Sequence, residues 1–227
     1  MGTSYSPNIV KDGLEFYADP INPRSWTGPN SGTVNNLSSN TTGSIFNDTS
    51  GSYGNNSSFN FDGTDSYIDI GSSVVMGTND YSFSSWVKTS TTSTQSVIGT
   101  RNDNTNGWII QISEDSILFY NVKTPSNRIS SDFDLTNGNW HNLVIVRGGT
   151  SSTNKIYVNG VSQNLIYNNE NGTNPASTLS MKIGVQYHSS QFERYFNGNI
   201  GPTMIHSKKL SAQEVKQNYN ALKNRFI

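Results

Sequence analysis

Asn139 to Val161 reads NWHNLVIVRGGTSSTNKIYVNGV. Trp140 to Arg147 is apolar on both faces, with Trp140, Val144 and Val146 on one and Leu143 and Ile145 on the other. A β-branched run of this kind predicts a strand covered from both sides. Gly148 to Asn154 supplies only Gly, Ser, Thr and Asn, residues that favour turns. Ile156-Tyr157-Val158 is the return strand. Asn159-Gly160 closes it, because a type I′ turn needs positive φ at both central residues and Asn and Gly tolerate that. The middle of the chain is therefore antiparallel sheet.

Moving outward, 227 residues suffice for one large β-sandwich. There is no Cys, so no disulfide supports the core. Fifteen basic and sixteen acidic residues leave a net charge of −1 with no basic stripe, which argues against a nucleic-acid partner. Only 14% of residues are charged, yet mean hydropathy is −0.56, so Asn, Ser, Thr and Gly carry the polarity. Such a surface hydrogen-bonds without a strong field, which suits sugars or lateral packing against subunits, homo-oligomers included. No apolar run reaches the roughly 20 residues of a membrane span. The first residues lack a secretory h-region and are expected to form a polar arm over 1–8, ahead of one domain over 9–227. The Asn-x-Ser/Thr triplets at Asn36, Asn40, Asn47 and Asn171 are taken as products of an Asn-rich composition.

Short strands recur along the chain with turn signals between them. They are expected at Gly13–Tyr17, around Leu37 and Ser44–Phe46, and in a hairpin over Ser58–Ile70. Further strands follow at Tyr81–Lys88, Ser96–Gly99, Trp108–Ile112, Ser116–Asn121, Arg128–Leu135, Met181–Val185 and Phe196–Ile205. That pattern is a sandwich or jelly roll. The end differs. Ser211 and Glu214 fit a capping box, Leu210 and Val215 a hydrophobic staple, and Val215, Tyr219, Leu222 and Phe226 repeat at helical spacing. A helix over 211–225 is predicted to dock on a sheet.

Several of these segments, in this order, resemble the concanavalin A-like lectin/glucanase superfamily, and within it the laminin G-like jelly-roll domains. Gly13–Trp26 (GLEFYADPINPRSW) is similar to the opening strand and its Asn-Pro loop. Phe59–Ile70 (FNFDGTDSYIDI) resembles the Phe-Asp-Gly segment, and Tyr81–Ser90 (YSFSSWVKTS) the aromatic-Ser-x-x-Trp-Val strand. The opening stretch NWHNLVIVR…KIYVNG and Phe196–Phe226 resemble the Trp-His strand with its hairpin and the final strand with its Leu-Ser-x-x-Glu helix. The resemblance implies an all-β sandwich of two antiparallel sheets with a short C-terminal helix. Two departures stand out: Pro202 follows Gly201 where an acidic residue is usual, and Ser38-Ser39-Asn40-Thr41 replaces a Gly-rich loop. Pro202 lacks an N–H, which predicts an edge or a bulge.

The fold hosts lectins, glycosidases and virion proteins alike, so function must come from sites. Glycosidases need two opposed carboxylates. Glu114 and Asp115 are adjacent, and adjacent strand residues point to opposite faces. Asp132 and Asp134 share a face with nothing else to mark them, so no catalytic residue is assigned and the chain is expected not to be an enzyme. No metal ligands are assigned either, although calcium could sit at Asp19 among loop carbonyls. Asn102-x-Asn104-x-Asn106-Gly107 imitates an EF-hand start but reads as a turn. Asp62 is expected to bond its own turn backbone. His141, His188 and His206 lie too far apart in sequence for a zinc motif. Candidate carbohydrate-binding residues are Trp26, Tyr53, Tyr187, His188 and Tyr195, aromatic or amide-bonding groups on expected loops; core packing is the alternative for each aromatic. Bare domains of this family rich in Asn, Ser and Thr resemble phage structural proteins. The expected role is accordingly a non-enzymatic virion surface component, docked on other virion proteins of head, tail or fibre. The alternative is a carbohydrate-binding, lectin-like module that contacts surface glycans; a glycoside hydrolase ranks third.

Overall fold

The computed structural model describes residues 8–28, 32–39, 42–46, 58–72, 80–100, 107–121, 128–148, 150–169 and 180–227. Met1 to Pro7 of the expected arm, Tyr53, the Asn102–Asn106 turn, and Asn40, Asn47 and Asn171 lie outside them. The described chain forms two large antiparallel sheets and a separate two-stranded one. In chain order the strands are β1 (Leu14–Ala18), β2 (Thr33–Asn35), β3 (Thr42–Phe46), β4 (Phe59–Asp62), β5 (Tyr67–Gly71), β6 (Tyr81–Lys88), β7 (Gln95–Gly99), β8 (Trp108–Ser113) and β9 (Ser116–Asn121). They continue as β10 (Arg128–Ser131), β11 (His141–Arg147), β12 (Lys155–Val158), β13 (Val161–Ser162), β14 (Tyr167–Asn168), β15 (Met181–Ile183), β16 (Gln186–His188), β17 (Gln191–Glu193) and β18 (Asn197–His206). A helix, α1 (Ala212–Leu222), and a 3₁₀ turn at Lys223–Arg225 follow.

One sheet runs β1-β18-β6-β11-β12-β13, with β4 also on β18; the other runs β14-β10-β9-β8-β7-β15-β5-β3-β2. Between them lies a continuous core. Phe83, Leu143, Ile145 and Ile205 enter it from the first sheet, and Ile68, Ile98, Ile110 and Phe119 from the second. The alternation that predicted β6 and β11 works as expected. Leu143 and Ile145 face this core, while Val144 and Val146 pack on the other side with Leu210 and Val215. The β12–β13 turn has Asn159 at φ 51° and Gly160 at φ 76°, the doubly positive pair that a type I′ turn requires.

Helix α1 roofs the outer face of the first sheet. Ser211 accepts from the Glu214 N–H, and Glu214 accepts from the Ser211 N–H, completing the capping box. Val215 and Leu222 are buried, and Trp86 stacks with Tyr219 at 5.7 Å and with Phe226 at 4.5 Å. Each such side chain removed from water contributes roughly 1.5–3 kcal/mol. A partly buried ion pair ties the end of this roof to the residue after the first strand. Arg225 donates to both oxygens of Asp19, at 2.7 and 3.0 Å. Tyr17 donates its hydroxyl to the same carboxylate at 2.7 Å.

Three expectations need correction. The segment Ser58–Ile70 is not a hairpin, because β4 pairs with β18 while β5 pairs with β3 and β15 in the opposite sheet. Phe59 and Phe61 on β4, and Ile68 and Ile70 on β5, all point into the core, so the two strands must approach it from opposite sides. The turn between them is held by Asp62, whose carboxylate accepts from the Thr64, Asp65 and Ser66 amides, as predicted. The strand at Arg128 ends at Ser131 rather than Leu135, and Thr136 bonds Asp134 in the irregular run beyond it. Finally, β16 and β17 form a small hairpin where loop was expected. Pro202 does mark a bulge: the β18–β6 register shifts between Ile200 and Thr203, where β18 exchanges β4 for β1 as its other neighbour.

Candidate functional site

The second sheet keeps its outer face free of any described helix, and on that face the β16–β17 hairpin builds the most promising site. Strand β5 buries Ile68 and Ile70, so Tyr67 and Asp69 point outward. On β15, Met181 and Ile183 are buried and Lys182 points outward beside its register partner Asp69, at 3.3 Å. The hairpin adds two different faces. Gln186, directly opposite Glu193, turns toward the sheet, where it is buried and accepts from Gln111 Nε2 at 2.7 Å. Arg194 donates to Gln111 Oε1 at 3.1 Å, and Gln186 donates to Glu193. This amide-and-carboxylate chain holds the hairpin on the sheet.

Tyr187, opposite Phe192, lies on the other side. Phe192 is 37% exposed and meets the Tyr187 ring at 4.9 Å and the Tyr67 ring at 4.8 Å. Tyr195 is half-buried and close enough to raise the pKa of Tyr67, after burial and Asp69. Burial, followed by Asp65 and Asp62, raises that of Tyr195. Both phenols thus stay protonated at neutral pH and can donate hydrogen bonds. The product is a shelf of Tyr67, Tyr187, Phe192 and Tyr195 bordered by charged groups. His188 lies at its rim, Nδ1 3.0 Å from Glu193 Oε1 and Nε2 3.2 Å from Ser189 Oγ. The turn is strained: Ser189 and Ser190 take φ of 51° and 67°, and Arg194 takes 54°.

The structure therefore brings together Tyr187, His188 and Tyr195 of the expected residues. Trp26 goes elsewhere. It is 1% exposed and packs edge-on against Phe59 at 5.2 Å, so its ring offers no face to a ligand. Tyr67 and Phe192 were missed. Tyr67 alternates with core residues on a strand, and Phe192 sits in a hairpin without a Gly or Asn turn signal. Their only sequence clue was being aromatic next to polar residues. Asp19, proposed for calcium, has both oxygens engaged by Arg225, with Tyr17 and the Ile21 amide as further donors. Among the described residues no group of three or more His, Asp or Glu is arranged to hold a metal ion.

An exposed aromatic ring can stack on the C–H face of a sugar ring, while flanking amides, carboxylates and phenols exchange hydrogen bonds with its hydroxyls. No curated protein sequence matches the chain. Among solved structures it is similar to the binding domain of Paraclostridial Mosquitocidal Protein 1, with TM-score 0.66 and 15% identity over 93% of this chain and 52% of that one. It is similar to a botulinum neurotoxin type C structure, described with cell entry dependent upon interaction with two ganglioside molecules, at TM-score 0.64, 17% identity, 93% and 52% coverage. It is also similar to domain 4 of AbnA, a GH43 extracellular arabinanase of Geobacillus stearothermophilus in complex with arabinotriose, at TM-score 0.66 and 18% identity, covering 91% of this chain and 98% of that one. The chain thus spans about half the length of the toxin domains it matches. At these identities the likeness establishes fold. The laminin G-like family profile, described as concanavalin A-like lectin/glucanases superfamily, matches residues 62–216, more than half of the chain. The chain belongs to the concanavalin A-like lectin/glucanase superfamily, as a laminin G-like domain.

Proposed function

We propose that this chain is a carbohydrate-binding module that holds a sugar on the Tyr67–Tyr187–Phe192–Tyr195 shelf. The observation that carries it is the shelf itself: the Phe192 ring within 5 Å of both the Tyr67 and the Tyr187 rings, centroid to centroid, bordered by hydrogen-bonding side chains on a sheet face that no described helix covers. The arabinanase domain, matched over nearly its whole length and complexed with arabinotriose, supports the same reading. We propose further that the module is non-catalytic. Three carboxylates near the shelf are engaged, Asp69 with Lys182 and Ser180, Glu193 with His188 and Gln186, and Asp62 with the amides of its own turn. The expectation of a place on a phage particle rests on composition and resemblance, and the toxin and arabinanase domains lend it no support. A glycan surface accounts for the same Asn-, Ser- and Thr-rich exterior.

A glycan array followed by titration calorimetry tests the reading. Saturable binding at millimolar or better is expected for at least one oligosaccharide. Phe192→Ala or Tyr187→Ala should weaken it by about tenfold, equal to roughly 1.4 kcal/mol, without lowering thermal stability. An array with no bound glycan, or binding untouched by both variants, overturns it.

A further inference from the structure

A second feature lies beside β1, β2 and β3 and shares no lining residue with the aromatic shelf. Two clefts of about 340 and 380 Å³ adjoin there, sharing Arg24, Leu37 and Ser38. Asn35, Ser39 and Thr42 supply amide and hydroxyl groups to one. Ile9, Leu14 and Tyr17 give the other an apolar floor, and Lys11 stands at its side. Neither cleft is lined by an Asp or Glu.

The cations there are uncommitted. The Arg24 backbone is fixed, its N–H on Asn22 Oδ1 at 3.0 Å and its carbonyl receiving Asn35 Nδ2 at 3.1 Å. The Arg24 guanidinium and the Lys11 ammonium have no partner among the described residues. Of the acids close to them in sequence, Asp19 is paired with Arg225 and Asp12 with Lys208, while Glu15 accepts from the Ser207 hydroxyl. Among the described residues, Lys11 and Arg24 thus bring two cationic groups without a bonded partner to one concave place. A guanidinium fork matches the paired oxygens of a carboxylate or sulfate ester. The surrounding amides and hydroxyls suit sugar hydroxyls, and the apolar floor suits a ring's C–H face.

We propose that these joined clefts form a second subsite for an anionic saccharide, its carboxylate or sulfate ester held by Arg24 and Lys11. The proposal rests on the reading of the chain as a glycan-binding module but uses separate residues, so the two can fail separately. The experiment is calorimetry with 3′-sialyllactose, a sulfated heparin disaccharide and neutral arabinotriose. At least one acidic sugar should bind, and raised salt should weaken it. Arg24→Ala and Lys11→Ala should each weaken it about tenfold or more, as loss of a charge-assisted contact requires. Arg24→Lys should recover part of the loss, and Phe192→Ala should leave the acidic ligand bound. Both Arg24 and Lys11 are exposed, so their variants should fold. If neither acidic sugar binds, or binding survives both alanine variants, the subsite is refuted. Retained arabinotriose binding that Phe192→Ala abolishes would then leave the shelf standing.

Discussion

At the scale of single residues, two tight turns show the same geometry met with different chemistry. The β12–β13 turn uses Asn159-Gly160, and a Cβ on Gly160 would come within 3.3 Å of the Tyr219 ring. The β16–β17 turn asks two serines to take positive φ, which costs an L-residue about 1–2 kcal/mol. The two sites therefore predict opposite signs. Ser190→Gly should stabilise the protein by about 1 kcal/mol and Gly160→Ala should destabilise it by about 1–2 kcal/mol, read as urea midpoints. A neutral or destabilising Ser190→Gly would show that the hairpin carries no strain. The same contrast explains what could be read in advance. Asn-Gly announces its turn, whereas Ser-Ser does not, so the hairpin that bears Tyr187 and Phe192 was hidden. Trp26 shows the converse failure: an aromatic among prolines looked like a loop contact, and only the fold shows it filling the core against Phe59.

Among elements, those with local signals were legible. Strands β6 and β11 follow from alternation and from apolar runs, and α1 from its cap and staple. Pairing partners were not legible where a turn joins two sheets. The Asp62-Gly63 turn has hairpin chemistry, yet β4 and β5 part company because both bury aromatic or aliphatic side chains in one core from opposite walls. The helix offers a direct test. Ser211→Ala removes the acceptor for the Glu214 N–H, and loss of such a cap costs about 1 kcal/mol. For a chain of this length that lowers Tm by about 2–4 °C in calorimetry. Ser211→Asp, which can accept the same bond, should recover most of it. An unchanged Tm for Ser211→Ala would mean that the roof is held by Trp86, Leu222 and Phe226 alone.

The whole molecule answers to pH through a group shut inside it. His206 is fully buried, and its Nε2–H donates to the Val10 carbonyl at 3.0 Å. Burial pushes its pKa down, against the pull of that bond; Lys208 also lowers it, while Glu214 and Asp12 raise it. The unfolded chain therefore takes up a proton near the ordinary value of 6.5 while the folded chain resists until lower pH. Unfolding free energy should rise with pH up to about 6.5 and fall on acidification below it. His206→Gln should flatten that limb in urea titrations at a series of pH values; an equal slope in the variant would assign the effect elsewhere. The place of β18 has a different consequence, one for biogenesis. This strand lies between β6 on one side and β1 and β4 on the other, yet it is translated after all three. Until the ribosome has released it, its three neighbours present bare strand edges, the kind of surface that chaperones shield and that aggregates when they do not. Completion of half the sandwich is thus a late event, paced by long-range closure rather than by local structure.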